Sequence, residues 1–266
     1  METWFWLLGW FLSILTMVVN GFVILLVCRK RQLRTKTNAF VVSLAVADFG
    51  VGLLAVPPQF FCSLATECTP RSKEGLIVIF VEVLIIYTSG TNLVSLVLER
   101  YVAVVKPLKY LNCMTRRRVI QMVLKSWGIP ILFTLSLVSI TRSGIDPAMT
   151  MCGYLDRTLA KQLRFNQLVA RAKTQNTSAV KWVALITCVF LACYGIMMRC
   201  SVFFINDNTS CNDSYFKIPL RVINSGINPI AYAFFKRDIK QECKRLLQKA
   251  SLITNRIVPT QEQQSS

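Results

Sequence analysis

Six apolar runs, near 3–27, 39–62, 76–98, 119–140, 180–204 and 215–235, constrain this chain more than any other feature. A helix needs about 20 mostly apolar residues to cross a bilayer core, where no water satisfies an open backbone. Each run meets that length. Composition agrees, with 53% hydrophobic against 17% charged residues. Mean hydropathy is +0.47. These values exclude an ordinary soluble domain. The first run lacks a basic region before it, is too long for a signal sequence, and is followed by Arg29, Lys30 and Arg31 as a stop-transfer cluster. We read it as a retained span with almost no domain before it.

The net charge of +18 would suit nucleic acid if it lay on one soluble face, but Lys and Arg fall in short blocks between the apolar runs. The absence of histidine removes the usual general base, Ser-His and Cys-His pairs and HExxH metal sites. No glycine-rich phosphate loop occurs. None of the ten cysteines forms a CxxC pair, and most lie in apolar runs as small hydrophobes. The chain is not expected to be an enzyme or to bind nucleic acid.

Basic clusters set the orientation. Arg29, Lys30, Arg31, Arg34 and Lys36 follow the first run, and Lys106, Lys109, Arg116, Arg117 and Arg118 follow the third. Lys236, Arg237, Lys240, Lys244 and Arg245 follow the last. All three blocks should be cytoplasmic. The triplets beginning at Asn208 and Asn212 suit an outer loop, as glycosylation candidates. An outer N-terminus and an inner C-terminus require an odd number of crossings, yet only six runs are present. The deficit lies between the fourth and fifth. Residues 141–154, with Asp146, Pro147 and Cys152, read as an outer loop, whereas basic segment 156–179 reads as cytoplasmic. No apolar run joins them. Leu155, Leu159 and Leu163 predict an amphipathic helix over 155–170.

Intramembrane polar residues are costly, about 2.5–3.5 kcal/mol for a central charge, so their order along the chain is informative. Asp48 ends Leu44-Ala45-Val46-Ala47-Asp48 in the second run, and Glu99-Arg100-Tyr101 closes the third and leads to Pro107-Leu108. Trp127 lies in the fourth. Asn224-Ser225-Gly226-Ile227-Asn228-Pro229-Ile230-Ala231-Tyr232 ends the last, before a basic amphipathic segment near 235–248. In this order the set resembles rhodopsin-like (class A) G-protein-coupled receptors: LxxxD, (D/E)RY, NSxxNPxxY and helix eight. The resemblance covers about 20–255. It implies an all-α seven-transmembrane-helix bundle over 1–250, with a short cytoplasmic tail at 251–266. The missing crossing then corresponds to a truncated or absent fifth helix.

The resemblance also implies roles. Glu99 would hold Arg100 at rest and release it to a heterotrimeric G protein, with Tyr101, Pro107 and Leu108 completing that end, while Asn228, Pro229 and Tyr232 support the active state. Asp48, Ser89, Asn224, Ser225 and Asn228 match a sodium pocket, a sensible hard-cation set; the alternative is a polar network holding water. No other cofactor is expected. Glu82 occupies the position where amine receptors carry an aspartate, and Ile86, Tyr194, Arg199 and Arg221 join it as pocket candidates. Arg221 could equally neutralise Glu82 internally, and the basic excess would suit a carboxylate ligand.

The chain departs from the family in places. The family's CWxP motif is Cys193-Tyr194-Gly195-Ile196 here, so the toggle tryptophan and kink proline are both missing. Gly75 stands where the family has the cysteine at the top of its third helix. Cys68 is the nearest substitute for a bond to Cys152, with Cys62 and Cys211 as rivals. Cys243 is a palmitoylation candidate or a free thiol. Ser251, Thr254, Thr260, Ser265 and Ser266 could accept phosphate for arrestin. The expectation is a multi-pass plasma-membrane receptor for an extracellular small molecule, in contact with membrane lipid. The competing reading is a non-signalling chain that pairs with other receptors as a dimer or stays in the endoplasmic reticulum. A transporter would show internal repeats, and none is seen.

Overall fold

The computed structural model describes residues 3–64, 72–105, 114–143, 214–235 and 237–257, with Leu108, Tyr110 and Asn112. The expected helix over 155–170, the apolar run 180–204, Pro107, Cys68, Cys152, Tyr194, Arg199, Asn208 and Asn212 lie outside the described residues. Among the described residues every regular element is helical: α1 (Thr3–Arg29), a 3-10 turn (Arg31–Leu33), α2 (Lys36–Leu54), α3 (Pro57–Leu64), α4 (Lys73–Val105), α5 (Arg116–Arg142), α6 (Ser214–Phe235) and α7 (Arg237–Ile257). The fold is that of an all-α membrane protein. Four stretches, Thr3–Arg29, Lys36–Leu64, Lys73–Arg100 and Arg116–Ile140, are long and apolar enough to cross a bilayer.

Burial is inverted relative to a water-soluble helix. On α1, Trp4, Leu7, Phe11, Ile14, Val18, Phe22 and Leu25 form an exposed stripe at helical spacing, whereas Ser13, Thr16 and Asn20 are buried. Water would reverse that arrangement. Lipid permits it, because lipid tails are as apolar as leucine and only packing and hydrogen bonding favour the inner face.

Local sequence sets the helix limits. Thr35 caps α2 by accepting a hydrogen bond from the Asn38 N–H at 3.2 Å. The second run, 39–62, is not one rod. It breaks at Ala55 and Val56, because Pro57 and Pro58 lack the N–H groups that a continuing helix needs, and α3 restarts with proline in its first turn. Beyond the last span, α7 continues to Ile257, past the 248 that its composition suggested.

α1 packs on α2, α2 on α4 and α4 on α5; α6 returns to pack on α1 and α2. Two apolar clusters result. The one toward the N-terminal end of α1, outer in the orientation expected from the basic clusters, contains Phe5, Val51, Ala55, Val56, Ile85 and Val222. The inner one contains Val23, Leu26, Leu44, Leu93, Leu96, Ala231 and Ile239, the last contributed by α7. On α1, α2, α4 and α6 alike, buried polar residues fall between the outer and inner members: Asn20, Asp48, Ser89, and Ser225 with Asn228.

Candidate functional site

The polar layer centres on Asp48, which is fully buried. Ser89 Oγ donates to Asp48 Oδ1 at 2.6 Å, and Asn228 Nδ2 donates to Oδ2 at 2.6 Å. The Ser225 hydroxyl also faces this carboxylate. Asn224 is buried one turn before Asn228 on α6. Three helices therefore meet on one side chain. Its isolated charge would be prohibitive in hydrocarbon, and the converging donors offset that cost.

Sequence inspection had passed over Asn20, which joins α1 to this layer. Pro229 has no N–H for the carbonyl of Ser225, four residues earlier. Asn20 Nδ2 donates to that oxygen at 3.2 Å and to Thr16 O at 2.9 Å. Thr16 Oγ1 adds a bond to Val222 O at 3.2 Å. A signal was present in Ser13, Thr16 and Asn20, a polar stripe at helical spacing within an otherwise apolar run.

At the inner end of α4, Glu99 is fully buried and Arg100 Nε lies 3.1 Å from its Oε2. The other oxygen, Oε1, accepts from Thr37 Oγ1 at 2.7 Å and Tyr110 OH at 2.5 Å. Burial, and then the bond to Glu99, push the Tyr110 phenol up. Neither Thr37 nor Tyr110 was singled out in the sequence. Leu108 is 91% exposed, so it is presented outward rather than packed. Tyr101 and Tyr232 lie on α4 and α6 respectively.

Below this, the basic block after α1 meets α7. Lys30 Nζ is 3.5 Å from Glu242 Oε2, and Arg245 Nη1 is 2.9 Å from Oε1. Asn38 Nδ2 donates to Asp238 Oδ2 at 3.0 Å, a second tie between α2 and α7. Burial opposes ionisation of Glu242, but the Arg245 bond and the charges of Lys30 and Arg245 together hold it below the usual carboxylate range. Burial, followed by the Glu242 charge, pushes the Cys243 thiol up.

In the outer half, Glu82 and Arg221 meet directly, Nη1 to Oε2 at 2.9 Å. Of the two readings open for Arg221, the internal ion pair is the arrangement present. Ile86 follows Glu82 by one turn of α4 and is half-buried. Cys62, one of the rivals for an outer disulfide, is disulfide-bonded, and its partner lies outside the described residues. A cavity of about 870 Å³ opens elsewhere, between α2 and α5, with Trp127, Arg34 and Arg116 among its walls. It does not reach either charged site.

The family model of the 7 transmembrane receptor (rhodopsin family) matches residues 19–165, more than half of the chain. The chain belongs to that family. As a rhodopsin-family member it is a multi-pass membrane receptor protein and not an enzyme. Its curated relatives include the dopamine D2-like receptor of Drosophila melanogaster, 37% identical over 44% of this chain and 13% of the relative. The histamine H2 receptor of Canis lupus familiaris is 36% identical over 48% of this chain and 35% of its own length. The match therefore spans well under two thirds of those receptors. With the histamine H2 receptor of Rattus norvegicus, the rhodopsin-family likeness extends further, at 27% identity over 276 aligned positions, covering 88% of this chain and 76% of the relative.

Proposed function

We propose that this chain is a plasma-membrane receptor that transduces an extracellular small-molecule signal to a heterotrimeric G protein, with its N-terminus outside and its C-terminus in the cytoplasm. The Glu99–Arg100 pair carries the reading. A buried carboxylate holds an arginine at 3.1 Å at the cytoplasmic end of α4. Thr37, in the first turn of α2, and Tyr110, beyond the end of α4, fix that carboxylate. Such a pair is bistable: Arg100 stays with Glu99 or leaves for a partner, and the partner's contacts decide which. Arrestin would engage the same cytoplasmic face, and lipid would cover the exposed stripes.

Sodium at Asp48 belongs to the same proposal. The carboxylate, the Ser89 and Ser225 hydroxyls and the Asn228 amide oxygen are hard donors. Asn20 Oδ1, also buried, has no hydrogen-bond partner among the described residues. The residues fit a small cation.

The test is nucleotide exchange on purified G proteins with the chain in lipid nanodiscs. Exchange without ligand should be weak in the wild type, several-fold higher in Glu99→Gln, and absent in Glu99→Gln/Arg100→Ala. A folded Glu99→Gln chain that never exceeds the double variant on any G-protein subtype refutes the coupling role.

The alignment with the rat histamine H2 receptor is gapped. Its 276 positions exceed the 266 residues of this chain, so positions of the rat receptor have no counterpart here. A second reading loses the fifth helix at those positions, which would put both termini on one face and leave a chain that acts as a dimer partner. Epitope tags at the two termini decide it. Tags on the same face of the membrane would leave the odd-crossing arrangement without support.

A further inference from the structure

We infer that the outer site selects a zwitterionic ligand, one that carries an ammonium and a carboxylate together, through the Glu82–Arg221 pair. The inference rests on the receptor reading above and names its ligand class. Glu82 lies two helical turns before Ser89 on α4, and Arg221 two turns before Asn228 on α6. The pair therefore sits roughly 10 Å outward of the Asp48 layer. Both side chains are nearly buried, at 13% and 11% exposure respectively.

The pair is joined but incompletely satisfied. Nη1 and Oε2 approach to 2.9 Å on one edge only. Glu82 Oε1 and Arg221 Nε have no hydrogen-bond partner among the described residues. A desolvated ion pair is favourable only when its geometry is good and its remaining hydrogen-bonding groups are filled. One unfilled acceptor and one unfilled donor nitrogen therefore remain in the same small region, on facing helices.

Those vacancies discriminate among ligand charges. A simple amine that draws Glu82 away leaves Arg221 as a buried, uncompensated cation, and a simple acid that draws Arg221 away leaves Glu82 as its counterpart. Each gains one contact and exposes the cost of an unpaired charge. A zwitterion brings both complements. Its ammonium meets the free carboxylate oxygen, its carboxylate meets the guanidinium, and neither buried charge is abandoned. Rejection of the wrong ligand thus comes from the group that it leaves unpaired, which discriminates more strongly than a pocket of matching shape.

The experiment uses the full chain in nanodiscs and matched triplets of probes: an amino acid, its decarboxylated amine and its deaminated acid. Triplets are built on tyrosine, tryptophan, histidine and leucine. Binding is read by calorimetry and by the shift in thermal unfolding. The wild type should bind one zwitterion on the order of a hundredfold more tightly than its amine or acid. Arg221→Gln should reverse the preference toward the amine, and Glu82→Gln toward the acid. The double variant Glu82→Gln/Arg221→Gln buries no unpaired charge, so it keeps the test readable if the single variants fold poorly; it should lose the zwitterion preference. An amine or acid that binds the wild type at least as tightly as its zwitterion overturns the inference, as does the absence of any zwitterion binding. The exchange assay on Glu99→Gln uses no ligand, so failure of the ligand class is distinguishable from failure of the receptor reading.

Discussion

Thr91 on α4 donates its hydroxyl to the backbone carbonyl of Ser126 on α5 at 2.6 Å. That oxygen is available because Pro130, four residues on, supplies no N–H. Asn20 does the same for Ser225 beneath Pro229. In both places a proline opens a spanning helix, and a polar side chain from a neighbour closes the gap.

Removing the hydroxyl should cost stability, and restoring the backbone donor should return part of it. Thr91→Val is expected to lower stability by about 0.5–2 kcal/mol. Pro130→Ala supplies the missing N–H, so Thr91→Val should cost less in that background than in the wild type. Thermal unfolding of the four chains in nanodiscs measures the coupling. Strict additivity would show that the Thr91 bond does not compensate for the proline.

At Gly52 the backbones of α1 and α2 come close together. A Cβ there would stand 2.8 Å from Met17 Cγ and 2.9 Å from the carbonyl oxygen of Ser13. Overpacking of this kind costs about 1–3 kcal/mol. Gly52→Ala should therefore lower the unfolding temperature clearly. Gly50→Ala, two residues away with open space around its Cβ, serves as the control and should leave it nearly unchanged.

The α7 clamp should respond to acid. The Glu242 carboxyl lies below its ordinary range in the folded chain, so its stabilising contribution is complete above the unfolded value of 4.5. It is lost as pH falls through the lower, folded value. Hydrogen exchange of α7 amides should rise across that window, and Glu242→Gln should show raised exchange at neutral pH with little further change. A rise of equal size in Glu242→Gln would assign the acid response to other groups.

Cys243 should be a sluggish nucleophile. Burial and the adjacent Glu242 charge raise its thiol, which leaves less thiolate at neutral pH than in free cysteine. Iodoacetamide labelling at pH 7.5 should be several-fold slower than for free cysteine, faster in Glu242→Gln, and closer to the free rate as pH rises. Fast labelling at neutral pH in the intact chain would contradict the burial. With the thiol packed in this way, palmitoylation at this position requires an enzyme that draws it out.

The family and the membrane class were legible because ionisable groups in apolar runs are conspicuous. Asp48, Glu99-Arg100 and Asn224 to Tyr232 could be read without any structure. Asn20 was less legible, being an amide whose partner is a carbonyl freed by a proline 209 residues later. Thr37 and Tyr110 lie where a polar residue is ordinary, so nothing in the sequence marks them as partners of Glu99. The outer disulfide illustrates a further limit. Several cysteines lay near the expected position, and nothing in their spacing marked Cys62 as a bonded one. Likewise, α7 outran its expected end because amphipathic periodicity fades gradually and carries no stop signal such as glycine.

The stacking of oil, polar layer and oil recurs on four helices, so along each of them the Asp48 layer lies between two apolar zones. A water, proton or cation that travels along those helices meets Val51 and Ile85 on one side or Leu44 and Leu93 on the other. Passage there is timed by the breathing of that packing, and its rate gauges how often these helices loosen.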